Sequence, residues 1–215
     1  MSRILYLGLT VPDELHQQAI HCPLIKIVPR ALSEPDIRLA FADFLAYTHL
    51  VLTSQTTIPL FLEAANFYQL SLDAIQTKKV VAVGQKTAAK LSQYGLKADF
   101  IPQEETAEGI RDLFADWDKD LVYPFWPHSS LSRTILKDFW TQKEIKYREC
   151  ILYATVTNDE IVLPDLSSID EIIFTSPSTV DAFLERYQSL PKDKKLTSIG
   201  PVTARRLKEA KEQIF

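Results

Sequence analysis

The sequence predicts an α/β protein. The expected architecture is two similar lobes with parallel sheets flanked by helices, with one lobe discontinuous. Three observations carry that expectation. Short apolar runs alternate with helical patterns along almost the whole chain. Two strand-turn-helix phrases recur in the same order. Residues 1 to 29 stand before the first copy with no counterpart, so the economical path joins them to the C-terminal lobe and crosses between lobes twice.

Ile4 to Leu9 reads as a buried strand, and Pro12-Asp13-Glu14 as a helix start. Leu24 to Val28 is a strand closed by Pro29. A helix is expected around Glu34 to Ala46, then a strand over His49 to Thr53 and helices over Ile58 to Asn66 and Leu72 to Thr77. Val80 to Val83 is the next strand, and Thr87 to Tyr94 a helix stopped by Gly95. Ala98 to Pro102 reads as a short strand, Ala107 to Phe114 as a helix, Leu121 to Phe125 as a strand and Ser132 to Gln142 as a helix. Tyr147 to Thr155 is a long strand. Glu171 to Thr175, Thr179 to Tyr187, Leu196 to Ile199 and Thr203 to Glu212 then alternate strand, helix, strand, helix.

The repeat is the strongest internal signal. The phrase Thr-Ser-x-Thr/Ser-Thr-Ile/Val-x-x-Phe-Leu-Glu occurs at residues 53 to 63 and again at 175 to 185. Downstream of each comes a second shared phrase, VGQKTAAKL at 83 to 91 and IGPVTARRL at 199 to 207.

In each Thr-Ser unit a strand ends where a helix begins. Ser54, Thr56, Ser176 and Ser178 suit helix capping, because their hydroxyls accept from the first free amides. The carboxyl end of a parallel strand is also where open α/β sheets bind ligands, and helix N-termini favour anions. Capping and a binding rim are compatible. Gly84 and Gly200 admit close backbone approach. Thr87 and Thr203 fall in the first turn of the helices that follow. Together these residues suit a polyanionic ligand held by amides and hydroxyls rather than by lysines.

Composition narrows the partners. Of 215 residues, 46% are hydrophobic and 24% charged, and the formal net charge is -4. That balance argues against nucleic acid or an anionic membrane surface. No apolar run approaches the roughly 20 residues of a membrane-spanning helix, and the opening reads as a strand and turn rather than a signal peptide. Cys22 and Cys150 have no metal or redox spacing and read as reduced thiols, with an isolated disulfide as the alternative. The expected location is cytoplasmic.

Several chemistries lack their motifs. The chain has no G-x-G-x-x-G after its first strand, no phosphate-binding G-x-x-x-x-G-K-[ST] and no G-x-S-x-G elbow. His16, His21, His49 and His128 are scattered without metal-ligand spacing, so no metal is expected. His49 reads as a satisfied strand-edge residue. His128, in Pro-Phe-Trp-Pro-His-Ser-Ser, is placed in a loop after a strand, where it is the one histidine with a candidate functional role. Tyr153 reads either as a half-buried strand aromatic or as a residue at a crossover beside the ligand. Any catalysis would work through positioning and stabilisation of developing charge.

The ordered series ILYLGLT, PLIKIV, LVLTSQTTIPLF, VAVGQKTAAKLSQYGLKADFIPQEETAEGI, ECILYATV, IIFTSPSTVDAF and SIGPVTARRL resembles the uroporphyrinogen-III synthase family over nearly the whole chain. The resemblance implies a discontinuous lobe from residues 1–30 and 156–215 and a second lobe from 31–155. A two-stranded linker would join them, with its strands at about 24–30 and 148–155. It implies a lyase of porphyrin and heme biosynthesis that cyclises hydroxymethylbilane, a linear tetrapyrrole with eight carboxylates, to uroporphyrinogen III. Water is lost and ring D inverted, with no cofactor. A monomer is the default expectation, with transient contact to the preceding deaminase.

By the same resemblance Tyr153 is the catalytic candidate that assists the leaving hydroxyl, while Ser176 and Thr203 match substrate-binding positions. With Ser54, Gly84, Thr87, His128, Ser178 and Gly200 they make up the expected binding set. Three departures stand out. LGLTVP lacks the arginine of Thr-Arg-Pro, Pro127-His128-Ser129 replaces Arg-Gly so that His128 or Arg133 would substitute, and Gln213-Ile214-Phe215 ends the chain before an expected last strand and helix. The competing readings are a non-catalytic bilobal protein that binds a tetrapyrrole or another anion, a synthase fold that has lost turnover, and a flavodoxin-like regulatory domain.

Overall fold

The computed structural model describes residues 3–212, so the Gln213–Phe215 end lies outside the described residues. In chain order the elements are β1 (Ile4–Tyr6), β2 (Ala19–His21), β3 (Ile25–Pro29), α1 (Pro35–Ala42), β4 (His49–Leu52), α2 (Thr57–Phe67), α3 (Leu72–Gln76) and β5 (Lys79–Ala82). They continue with α4 (Gln85–Ser92), α5 (Ala107–Ala115), β6 (Pro124–Ser129), α6 (Ile135–Gln142), β7 (Arg148–Thr157), β8 (Glu171–Phe174), α7 (Pro177–Tyr187), β9 (Lys195–Ser198) and α8 (Pro201–Glu212). The chain divides into two compact units, one built from Met1–Val28 with Thr155–Phe215 and the other from Pro29–Ala154.

In the first unit the sheet order is β2-β1-β8-β9, and each neighbouring pair is parallel. Alternation sorts its two faces. Leu5, Leu7, Ile172 and Phe174 join Val180 and Phe183 of α7 and Leu207 and Ala210 of α8 in one core. Ile4, Tyr6 and Ile173 point to the other face, where Val11 and Leu15 cover them.

The second sheet has the order β3-β7-β6-β4-β5 and belongs to the second unit apart from β3 up to Val28 and the last residues of β7. β7, β6, β4 and β5 are mutually parallel. β3 runs antiparallel to β7, since Arg30 N donates to Leu152 O at 2.9 Å while Asn158 N donates to Leu24 O at 2.8 Å. Both faces of this sheet are covered by helices, the usual condition for a parallel sheet. Trp126, Val51 and Val81 pack with Ile110 and Phe114 of α5 and Leu136, Phe139 and Trp140 of α6. On the opposite face Phe125 meets Phe41 edge-on and stacks on Tyr47, with ring centroids 5.4 and 4.9 Å apart. Arg30 fastens the start of this unit, donating to Ile151 O and to the Asp36 carboxylate, each at 2.9 Å, and pairing with Glu34.

Several elements depart from the sequence expectation. The Pro12-Asp13-Glu14 signal yields only a 3₁₀ turn, Asp13–Leu15, and β2 follows where no strand was expected. Three residues on a sheet edge carry too little periodicity to announce themselves. The helix expected to Ala46 stops at Ala42 and gives way to a 3₁₀ turn, Phe44–Ala46. Ala98 to Pro102 forms a single bridge, Val81 to Phe100, rather than a strand.

The strand expected over 121–125 lies instead at Pro124–Ser129, so His128 sits on β6 and not in a loop. Two prolines hid it, because proline ordinarily interrupts a sheet. Here pairing with β4 is confined to Pro124 and Phe125, and from Pro127 onward the strand is read against β7 alone. Gly95, at φ +73, closes the turn after α4 as expected of a glycine there.

Gly109 marks a tight approach. A Cβ there would lie 2.0 Å from the Glu104 backbone oxygen, and Gly109 N donates to the capping hydroxyl of Thr106 at 3.1 Å. The obstacle is backbone and cannot swing aside. Gly109→Ala is expected to cost about 2 kcal/mol or more through overpacking, measured as a lowered urea midpoint at unchanged m.

Candidate active site

The carboxyl ends of parallel strands gather the residues singled out above, and each unit has its own edge. In the second unit β4 runs into Thr53-Ser54, β5 into Val83-Gly84, β6 into Ser129-Ser130, and Tyr153 lies beside Ser129 on β7. Ser54 Oγ accepts from Thr56 N at 3.2 Å, steering the chain into α2. Thr56 itself makes no side-chain cap. Thr53 Oγ1 accepts from the Trp126 indole at 3.3 Å.

Tyr153 is 3% exposed, so it is buried rather than half-buried. The first turn of α2 lies against its hydroxyl. Its hydroxyl lies 3.2 Å from Thr57 Oγ1, a residue with no exposed surface in the first turn of α2. Either oxygen can donate. The pair therefore shares a hydroxyl proton in a dry setting, where a hydrogen bond is stronger than in water and an unpaired phenol would be costly.

The first turn of α4 presents a different arrangement. Gly84 is its N-cap, so no side chain caps the helix. A carboxylate fills that role, with Glu105 Oε1 accepting from Gln85 N at 3.0 Å. A Cβ on Gly84 would lie 2.1 Å from Glu105 Oε2, so the missing side chain makes room for the carboxylate. The positive end of the helix is thus occupied by an anion from the chain itself. Thr87, in the same turn, is 4% exposed.

The residues expected to stand in for a missing arginine are both committed elsewhere. The His128 ring, 4% exposed, stacks on Trp126 with centroids 3.8 Å apart, and its Nδ1 donates to Ser129 O at 2.8 Å. Burial lowers its pKa, against the opposing pull of the Ser129 carbonyl and the Glu149 carboxylate, which favours the neutral ring. Arg133 forms a fork on Glu108, at 2.5 and 2.8 Å, and that guanidinium holds the Glu108 carboxyl down at about 2.

In the first unit Ser176 opens α7 with a full capping box. Its Oγ accepts from Thr179 N at 3.3 Å, while Thr179 Oγ1 accepts from Ser176 N at 3.2 Å. Ser178 Oγ lies 2.8 Å from Ser176 Oγ. Gly200 precedes α8 with open space where a side chain would stand, and Thr203 in the first turn is 4% exposed. So α8 begins beside unoccupied space, whereas α4 begins under a carboxylate.

His49 is a core residue, 4.8 Å from Trp117, with burial pulling its pKa to about 4. Cys22 and Cys150 are free and buried, and burial pushes the Cys150 thiol up to about 12. Among the described residues no cluster of three His, Cys, Asp or Glu is placed to hold a metal, and no helix is long and apolar enough to cross a membrane. Sequence reasoning missed Thr57, Glu105 and Glu108. Thr57 lies inside the repeat and matches Thr179, so the repeat itself could have flagged it. The two glutamates carry no sequence signal, because their role depends on which helix end they reach.

Comparison with known proteins gives a consistent picture. The family model described as HEM4, uroporphyrinogen-III synthase HemD, matches residues 13–214. "Porphyrin biosynthesis protein HemD" of Ruminiclostridium josui is 26% identical over 214 residues, covering 93% of this chain and 41% of its own length. A relative in Methanothermobacter thermautotrophicus is 26% identical over 144 residues, covering 60% of this chain and 57% of its own. The chain thus spans about half or less of these relatives. Among solved structures, a mutant uroporphyrinogen III synthase of the extreme thermophile Thermus thermophilus superposes with a TM-score of 0.70 at 16% identity, covering 98% of this chain and 90% of that one. The enzyme of Helicobacter pylori gives 0.64 at 18%, covering 97% and 89%. These likenesses show a shared fold.

Two outcomes follow from the glutamates. Because the folded Glu108 pKa lies below its ordinary 4.5, the Arg133 fork stabilises the protein fully above pH 4.5 and progressively less as pH falls towards 2. Glu108→Gln is expected to lose about 1–2 kcal/mol at neutral pH and to flatten the acid limb of a denaturation series over that window. Gly84→Ala meets only the movable end of Glu105, so it is expected to fold with a loss of about 1 kcal/mol or less, well below that of Gly109→Ala in the same urea assay.

Proposed function

Because this chain belongs to the uroporphyrinogen-III synthase family, we propose that it cyclises hydroxymethylbilane to uroporphyrinogen III with loss of water and inversion of ring D. The family match over residues 13–214 carries that reading. In the reaction the terminal hydroxyl departs after taking a proton. Closure releases one proton from the attacking pyrrole carbon, so water is the only net loss. The pyrrole electrons drive the departure. The work left to the protein is to assist that departure and to hold the chain in the geometry that inverts ring D.

Tyr153 is the proposed proton donor. Its hydroxyl rests 3.2 Å from Thr57 Oγ1 at the carboxyl edge of the second unit's sheet, which supports that role. The substrate hydroxyl would exchange places with Thr57 as the partner of the phenol. Within each unit, substrate carboxylates would meet first-turn amides: in the second at Ser54, and at Gly84 and Thr87 only by displacing Glu105 from Gln85 N; in the first at Ser176, Ser178, Gly200 and Thr203. The same reading makes the protein a cytoplasmic monomer that receives its unstable substrate through transient contact with the preceding deaminase.

The decisive experiment supplies freshly generated hydroxymethylbilane, oxidises the product and separates the porphyrin isomers. Predominantly type III is expected; only type I, as without protein, would leave a binding protein in place of an enzyme. Tyr153→Phe is expected to lower kcat about 10- to 100-fold while costing about 1 kcal/mol of stability. Unchanged turnover with unchanged folding would remove the phenol from the mechanism.

A further inference from the structure

We infer that His128 is a positioning residue, whose Nδ1–H bond to the Ser129 carbonyl fixes the register shift that turns the Tyr153 hydroxyl onto Thr57. The inference rests on the reading of Tyr153 given above.

The argument begins with alternation. On β7, Glu149 lies beside Trp126 and Ile151 beside His128, on the face packed by α6. With a period of two, residue 153 would continue on that face, away from α2. The register instead slips between His128 and Ser129, so that Tyr153 stands opposite Ser129 and Leu152 is left over. One extra residue on one strand is a bulge, and its effect is to re-aim the next side chain. Tyr153 consequently turns to the other face, where its hydroxyl lies 3.2 Å from Thr57 Oγ1.

His128 sits at the slip. A carbonyl only accepts, so the 2.8 Å contact with Ser129 O places the ring proton on Nδ1. Nε2 is then bare, and it is buried with no hydrogen-bond partner. The nearest charge is Glu149 Oε2 at 3.7 Å, and that carboxylate is already held by Lys137 at 2.6 Å. A buried unpaired nitrogen costs stability. A phenylalanine would stack on Trp126 without that cost, so what the imidazole adds is the Nδ1–H donor. Ser129 O also accepts from Ser132 N at 3.0 Å, and Ser130 N donates to Tyr153 O at 2.9 Å. The bonds on this carbonyl thus hold the turn whose next amide clasps the backbone of Tyr153.

The first test uses the wild-type protein. Nitrogen-15 spectra of His128 are expected to show a protonated Nδ1 and a bare Nε2, and the opposite tautomer would overturn the inference. Two variants follow. His128→Phe keeps the stack and loses the donor, whereas His128→Asn keeps a donor near the Nδ1 position. The Ser130 amide is expected to exchange about tenfold faster in His128→Phe, the scale of one lost hydrogen bond, while β4 amides keep their rates and His128→Asn stays close to wild type.

An unchanged Ser130 amide in His128→Phe, or an equal rise in His128→Asn, would sink the idea. Given turnover, His128→Phe is expected to lower kcat about tenfold at unchanged KM, and to add no further loss when combined with Tyr153→Phe. If the wild type yields only type I product, the proposed function fails, while the tautomer and exchange measurements still decide the positioning role.

Discussion

Parallel neighbours cannot be joined by a two-residue turn, and most of what this chain does with its length follows from that constraint. Apart from β3, which runs antiparallel to β7, each strand of the two sheets has to be carried back by a crossover before the next can pair with it. Most of the return segments are helices, so strand ends and helix starts collect along one edge of each sheet. There the first-turn amides of α2, α4, α7 and α8 have no intrahelical partners. Three of the four starts are resolved, each in its own way. α7 uses a serine-threonine capping box, α4 uses the distant Glu105, and α2 is entered through the Ser54 hydroxyl.

The two copies of the second phrase have therefore diverged in electrostatics while each keeps a helix that starts directly after its glycine. In VGQKTAAKL the glycine makes room for a carboxylate 2.1 Å from where its Cβ would be. In IGPVTARRL the glycine faces open space. An anionic ligand approaching α4 would compete with Glu105, and one approaching α8 would meet no such carboxylate. On α5 a second carboxylate, Glu108, holds Arg133 in a fork, so that guanidinium is already neutralised. Recognition that relies on backbone amides rather than on free arginines agrees with a chain of net charge -4.

Tyr153 and Thr57 illustrate how a polar pair is held in a dry place. Each hydroxyl would carry a desolvation cost alone, and each satisfies the other. The pair exists because β7 gains one residue on β6 just before Tyr153, so the phenol leaves the tryptophan-lined face and enters the one covered by α2. The stack of His128 on Trp126 lies directly beside that step. Core packing on one face of the sheet and hydroxyl placement on the other are thereby linked through a single strand.

The α/β class, the parallel sheets and the order of most elements were legible from the sequence, because hydrophobic period and helix-start chemistry are local properties. The repeat pointed to Thr53–Ser54 and Thr175–Ser176 as strand-to-helix junctions for the same reason. β2 and the single Val81–Phe100 bridge were not legible, since pairing at a sheet edge depends on a neighbour supplied from elsewhere in the chain. β6 was misplaced because its prolines read as interruptions, and only the limited reach of β4 makes them harmless. The site divides along the same line. The resemblance named Tyr153 and local chemistry named Gly84, but the partner of the Tyr153 hydroxyl lies 96 residues away and the carboxylate that caps Gln85 lies 20 residues away. The depth of Tyr153, the carboxylate over Gly84 and the unpaired face of His128 were decided by tertiary structure, because burial and the approach of distant charges exist only once the sheets have been assembled.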